Sequence, residues 1–106
     1  MANAADFVRL ALALADVVEY PHFDRRAFKA PITFATLAPD GASVNLKFSP
    51  DEQEFKCLLA PEAFAPIANA WGRKGWTIAT LATLSEDELR AALEMAFAHA
   101  RTKKRK

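Results

Sequence analysis

Between Ser43 and Leu59 the spacing of apolar residues changes from two to about 3.6, and a helix cap sits at the change. Val44, Leu46 and Phe48 alternate with Ser43, Asn45 and Lys47, the pattern of a strand with one face buried. Ser49-Pro50-Asp51-Glu52 follows at once. The serine is placed to cap a helix, and the proline stands at the first helical position, where its missing N–H costs nothing. The glutamate three residues after the serine closes a capping box. Phe55, Leu58 and Leu59 then give the helix an apolar face, expected to point inward, and Pro61 ends it. A chain that passes from strand to helix without a linker mixes both structures in one core, and the connections between its strands decide the fold class.

Those connections are short. Val17 to Phe23 and Arg26 to Leu37 are rich in β-branched and aromatic residues and read as strands. Pro31 must lie at an edge, a bulge or a break of the second one, because it donates no hydrogen bond to a ladder. Pro39-Asp40-Gly41 has turn chemistry and folds the Val44–Phe48 strand back as an antiparallel hairpin. After the central helix, Glu62 to Ala70 reads as irregular or extended. Trp71-Gly72-Arg73-Lys74-Gly75-Trp76 reads as a turn, and Trp76 to Leu81 as a strand, so a second hairpin is expected.

Two further helices flank these strands. The first is expected over about Ala4–Ala15, with Asn3 as N-cap, Asp6 in the first turn, and Phe7, Leu10, Ala11 and Leu14 as its buried stripe. The last opens on a second capping box, Ser85-Glu86-Asp87-Glu88, and buries Leu89, Leu93, Ala96, Phe97 and Ala100. Glu86, Arg90 and Glu94 form i, i+4 charge pairs on its wet face. The order is helix, three strands, helix, two strands, helix. Hairpin-linked strands and segregated helices mean a two-layer α+β domain of the α-β(3)-α-β(2)-α type with an antiparallel sheet.

At 106 residues there is room for one such domain, and 52% apolar residues can fill its core. Cys57 is the only cysteine, which excludes an intramolecular disulfide and fits a reducing, cytoplasmic compartment. The most apolar run, Phe7 to Leu14, is interrupted by Arg9 and falls far short of the ~20 residues that span a bilayer. It lacks the basic leader of a signal peptide, since Asp6 precedes it. No membrane partner is therefore expected. The net charge of +1 hides an asymmetry: residues 101–106 carry five basic groups. The domain proper, residues 1–100, has nine Lys/Arg against thirteen Asp/Glu, a formal charge of −4. That body lacks the basic balance of a protein held mainly by phosphates, and the run at 101–106 reads as a solvated basic tail.

Several short pieces occur in a telling order. They are Glu19 with Pro21-His22-Phe23, Ala27-Phe28-Lys29, Phe34-Ala35-Thr36-Leu37 and Leu46-Lys47-Phe48-Ser49-Pro50-Asp51. Glu62-Ala63-Phe64 and Trp71-Gly72-Arg73-Lys74-Gly75-Trp76 with Leu81 complete them. In these the chain resembles the MmcQ/YjbR family over nearly its whole length, about Ala5 to Lys103. The resemblance implies the same two-layer fold. It also implies a DNA-binding role, with the two hairpins as a pair of wings. The chain departs from the family pattern at Pro31-Ile32-Thr33, where a Gly-Lys pair is common, and at Asp24, where a glycine is common.

The residues that fit nucleic-acid contact are Arg25, Arg26, Lys29, Lys47, Arg73 and Lys74, for phosphates, with Trp71 and Trp76 for stacking. Against this stands the plainer reading that these charges solvate strand edges and discourage edge pairing. A second function class is a protein-interaction module, chaperone-like in layout, that meets a peptide or second protein at the Trp71/Trp76 hairpin. Catalysis finds little support. His22 has no second histidine or carboxylate at ligand spacing and reads as a strand-end residue bonded to backbone. Cys57 has no neighbouring base and reads as a structural thiol, while Ser49 and Ser85 are committed to caps. The expectation is a binding protein without catalytic residues, metal or cofactor, whose partner is DNA or another protein.

Overall fold

The computed structural model describes the backbone of residues 1–104 and the side chains of residues 1–101. The elements run α1 (Ala4–Leu12), β1 (Val18–His22), β2 (Arg25–Lys29), β3 (Thr33–Leu37), β4 (Ser43–Lys47) and α2 (Pro50–Leu59). After these come β5 (Phe64–Pro66), α3 (Ala70–Arg73), β6 (Trp76–Thr80), a 3-10 turn (Leu81–Thr83) and α4 (Glu86–Lys104). All six strands form one sheet in the order β1-β2-β3-β4-β6-β5, and every pairing is antiparallel. The two-layer α+β architecture with an antiparallel sheet is thus the observed fold.

The strand count differs in one place. The Arg26–Leu37 run, expected as one strand, is two. The chain reverses at Ala30-Pro31-Ile32, where the Ala30 N–H donates to the Ile32 carbonyl at 3.1 Å. Four strands therefore precede α2, and Pro31 marks a break. Just beyond it the register shifts: Phe28 faces Ala35 while Lys29 faces Thr33, so Phe34 is an extra, bulged residue. The bulge lets Phe34 join the core, where its ring meets Phe97 of α4 edge-on at 5.9 Å. On the other side of α2, Phe64–Pro66 and Trp76–Thr80 make the expected second hairpin, with the one-turn α3 inside its long connection.

Helices α1 and α4 cover one face of the sheet, α4 lying across β3 and β4 and against α1. The core between the layers holds Phe28, Phe34, Leu46 and Phe48 from strands, Phe7 from α1, and Leu89, Leu93 and Ala96 from α4, all fully buried or nearly so. Phe7 and Phe28 pack edge to face at 5.2 Å. The capping boxes expected at Ser49 and Ser85 are formed, and Asn3 with Asp6 forms a third. The last helix runs through Lys104, and Arg101 docks inside it, its Nη1 3.2 Å from Asp16 Oδ2 and its guanidinium over the Phe97 ring. Of the run expected as a basic tail, Arg105 and Lys106 lie outside the described residues.

One expectation is overturned. Phe55, Leu58 and Leu59 do not point inward: they are 55%, 75% and 66% exposed. Helix α2 packs chiefly against the edge strand β5 and presents the opposite face to the body, with Lys56 buried and Gln53, Cys57 and Ala60 half-buried. Lys56 buries its aliphatic stem and holds its ammonium 5.6 Å from the centre of the Phe64 ring. Gln53 fixes the helix at this angle, donating to the carbonyls of Gly72 and Trp76 at 2.9 and 3.0 Å. Both carbonyls also accept backbone N–H groups, Gly72 from Gly75 and Trp76 from Ile67, so the Gln53 amide adds a second bond to each and ties α2 to the β5–β6 connection. Among the described residues no helix is long and apolar enough to cross a membrane.

A candidate ligand cleft on the uncovered face of the sheet

Among the described residues no helix covers the second face of the sheet. Across it the register aligns Tyr20, Ala27, Thr36, Asn45 and Ile78 in one row, one residue from each of five strands. The neighbouring row, Glu19, Phe28, Ala35, Leu46 and Thr77, faces the helices, because side chains alternate along each strand. On the uncovered face lies a cleft of about 400 Å³. Tyr20 and His22 of β1 stand on one side of it, and Trp76 of β6 with Trp71, Ile67 and Asn69 on the other. Arg25, Thr33, Thr36 and Asn45 lie between.

The hairpin between β1 and β2 places Arg25. His22 pairs with Arg25, so the turn is Phe23-Asp24, with Phe23 in the left-handed region at φ 59°. From there Arg25 reaches across to β3. Its Nε donates to Thr36 Oγ1 at 2.8 Å and its Nη2 to the Thr36 carbonyl at 3.3 Å. Among the described residues it forms no ion pair. Burial pushes its guanidinium below the ordinary arginine value, partly offset by the charges of Asp24 and Asp40. A guanidinium stays cationic through such a shift, so the cleft holds a partly desolvated positive charge with donors to spare.

The opposite wall depends on close chain approaches. Asn69 caps α3, its Oδ1 accepting from the N–H groups of Trp71 and Gly72, and among the described residues its NH₂ group has no partner. A Cβ on Gly72 would stand 1.6 Å from the Ile67 carbonyl oxygen, and one on Gly75, at φ 110°, 1.9 Å from that of Phe48. Only glycine permits either approach. Trp71 is consequently held 60% exposed at the rim, with Lys74 Nζ 5.7 Å from its ring centre. On the far wall Tyr20 shares a hydrogen bond with Thr33 Oγ1 and carries Lys29 Nζ 5.0 Å from its ring centre.

Three of the eight residues singled out from sequence, Arg25, Trp71 and Trp76, line this cleft. Lys29 and Lys74 adjoin it through the rings of Tyr20 and Trp71. The other three do not join them. Arg26 alternates to the other side of β2 and pairs with Glu19, Nη2 to Oε1 at 3.1 Å, and the hydrogen bonding from Arg26 holds the Glu19 carboxyl below its ordinary value. Lys47 donates to the Phe48 carbonyl at 3.1 Å and lies 3.4 Å from His99 Nε2 on α4. Arg73 is exposed on the last turn of α3. The six cations therefore do not form one continuous patch.

Tyr20, Thr33, Thr36, Asn45, Ile67 and Asn69 line the cleft without having been singled out. The alternation of β4 already placed Asn45 on the polar face, but nothing local marks Tyr20 or Asn69. His22 is at a strand end as expected, yet its side chain meets the rings of Phe23 and Tyr20, at 4.8 and 6.4 Å, rather than the backbone. Cys57 is half-buried, and burial pushes its thiol up, away from the reactive thiolate. Among the described residues no three His, Cys, Asp or Glu side chains are grouped to hold a metal ion. What the cleft offers chemically is one cation, free amide groups and aromatic walls.

A family model, YjbR, matches residues 12–99. The fold is similar to that of the Deinococcus radiodurans protein DR2400, with its DUF419 domain, at a TM-score of 0.81 and 21% identity, covering 98% of this chain and 82% of that one. It is also similar to a Pseudomonas syringae protein at a TM-score of 0.66 and 18% identity, covering 92% of this chain and 97% of that one. No curated protein matches the sequence.

Proposed function

The chain belongs to the YjbR family, and from that premise we propose that it is a non-catalytic binding domain whose uncovered sheet face takes single-stranded nucleic acid. One observation carries the reading: Arg25, without an ion-pair partner among the described residues, lies in a cleft walled by Tyr20, Trp71 and Trp76. A base stacks on an exposed ring, and a phosphate takes the remaining guanidinium donors. Lys29 and Lys74 stand beside the aromatic walls, where they meet the flanking phosphates. Cleft size favours a single strand over a duplex: about 400 Å³ admits a base, whereas a duplex needs cations spread along a groove. The resemblance to a DNA-binding family supports the same ligand class. The absence of a nucleophile with an adjacent base among the cleft's lining residues supports a binding role rather than an enzymatic one. The lone Cys57 thiol supports a reducing, cytoplasmic setting.

Trp71 and Trp76 provide the readout. Titrating the protein with a short oligothymidylate at low salt should quench its tryptophan fluorescence. Arg25→Ala should weaken binding by at least about tenfold, the cost of a charge-assisted phosphate contact. Arg73→Ala should change it little. Three phosphate contacts, through Arg25, Lys29 and Lys74, predict a log–log salt slope of about −2. No quenching at low salt ends the reading. A peptide on the Trp71/Trp76 wall is the competing occupant, and it would show itself by binding that ignores salt and survives Arg25→Ala.

A further inference from the structure

Helix α2 is built with its polar side inward. Gln53, Lys56, Cys57 and Ala60, at i, i+3, i+4 and i+7, face the body, while Phe55, Leu58 and Leu59 occupy the opposite face and are more than half exposed. An apolar helical face this open is unusual on a small domain, where scattered single residues are the rule. Its flank continues into a groove of about 460 Å³ between α2 and the start of α4. Leu59, Ala60, Phe64 and Leu84 give the groove an apolar lining, and Glu62, Asp87 and Glu88 stand at its rim.

The charge around this face is one-sided. From Pro50 to Glu62 there are four carboxylates, Asp51, Glu52, Glu54 and Glu62, against the single ammonium of Lys56, which is buried. Among the described residues Asp51, Glu54 and Glu62 have no ion-pair or hydrogen-bond partner for their side chains. The adjoining first turn of α4 adds Glu86, Asp87 and Glu88, of which Glu86 and Asp87 pair with Arg90 and Glu86 also with Arg9, so the unbalanced negative charge lies on Asp51, Glu54 and Glu62, with Glu88 at the groove rim.

We propose that the exposed face of α2 and the adjoining groove form a docking surface for a basic amphipathic helix of a partner protein. Apolar anchors of that helix seat against Phe55, Leu58 and Leu59, and its Lys or Arg residues meet the acidic rim. Charge argues against the other candidate occupants. A second copy of this chain, joined two-fold through the same face, would set acidic rim against acidic rim. Nucleic acid is repelled by the same carboxylates. This surface is distinct from the sheet-face cleft, since the two share no lining residue, and the inference does not depend on what the cleft holds.

The test uses three labelled synthetic peptides of equal length with the intact protein. One has Leu at i, i+3, i+4 and i+7 and Lys elsewhere, the second replaces Lys by Glu, and the third scrambles the first. Fluorescence anisotropy should show the basic amphipathic peptide binding at least about tenfold tighter than either control. Leu58→Ser should weaken it by at least about tenfold, as loss of a central apolar anchor does. Glu62→Lys, at an exposed position, should weaken it several-fold. Arg25→Ala should leave it unchanged, which separates this surface from the cleft. Equal binding of the basic and acidic peptides, or binding indifferent to both Leu58→Ser and Glu62→Lys, overturns the proposal. So does a concentration-dependent dimer in sedimentation that Leu58→Ser abolishes, because the occupant would then be a second copy.

Discussion

Helices α2 and α4 open alike. Ser49 and Ser85 each accept the N–H of a glutamate three residues on, and Glu52 and Glu88 each accept the serine N–H in return, with the same distances, 3.1 and 2.8 Å, in both boxes. Each helix also has apolar residues at helical spacing. Their fates diverge after the first turn. In α4 the apolar stripe, Leu89, Leu93 and Ala96, is fully buried against the sheet and α1, and the charges of Glu86, Asp87 and Arg90 face water. In α2 the apolar residues face water and a lysine is buried. Capping fixes where a helix starts, whereas the neighbour it meets fixes which face is buried. α4 meets the broad face of the sheet. α2 meets a three-residue edge strand and, through Gln53, the carbonyls of Gly72 and Trp76.

Truncation is the strongest way to break this comparison. Leu93→Ala should cost about 2–5 kcal/mol in urea unfolding, as a fully buried leucine does. Leu58→Ala, 75% exposed, should stay within about 0.5 kcal/mol. Equal losses would mean that α2 is buried in solution after all. Next in size come the caps. Ser49→Ala and Ser85→Ala should each cost about 1 kcal/mol, because the two boxes are geometrically the same. A cap at Ser49 that counts for nothing would show α2 to be frayed and the likeness of the two starts to be superficial. The smallest effect should come from Arg90→Ala, which removes two surface ion pairs of α4 and should stay within about 0.5 kcal/mol. A larger loss would move part of α4's stability from its core face to its wet one.

Much of the fold was legible from local signals. The caps at Asn3, Ser49 and Ser85, the alternation from Ser43 to Phe48 and the turn at Pro39-Asp40-Gly41 depend on residues within a few positions of one another. The break at Pro31 was legible only as one of three options, because a proline excludes a ladder donor without saying which way the chain then runs. The cleft was legible only in part. Arg25, Trp71 and Trp76 stood out by type. Thr36 and Asn45 became lining residues only once β3 and β4 lay side by side, and Arg26 left the group only because the β1–β2 pairing set Glu19 within reach.

The α+β class, the helix starts at Asn3, Ser49 and Ser85, the alternation from Ser43 to Phe48 and the buried Leu89, Leu93 and Ala96 of the last helix were determined by the sequence itself, since periodicity and capping act over one or two turns of chain. Tertiary structure alone decided that α2 turns its apolar side outward and that, among the described residues, Arg25 forms no ion pair while Arg26 is neutralised by Glu19. Those outcomes depend on which distant segment arrives as neighbour, and a hydrogen bond or ion pair between strands exists only after the sheet order has brought its partners together.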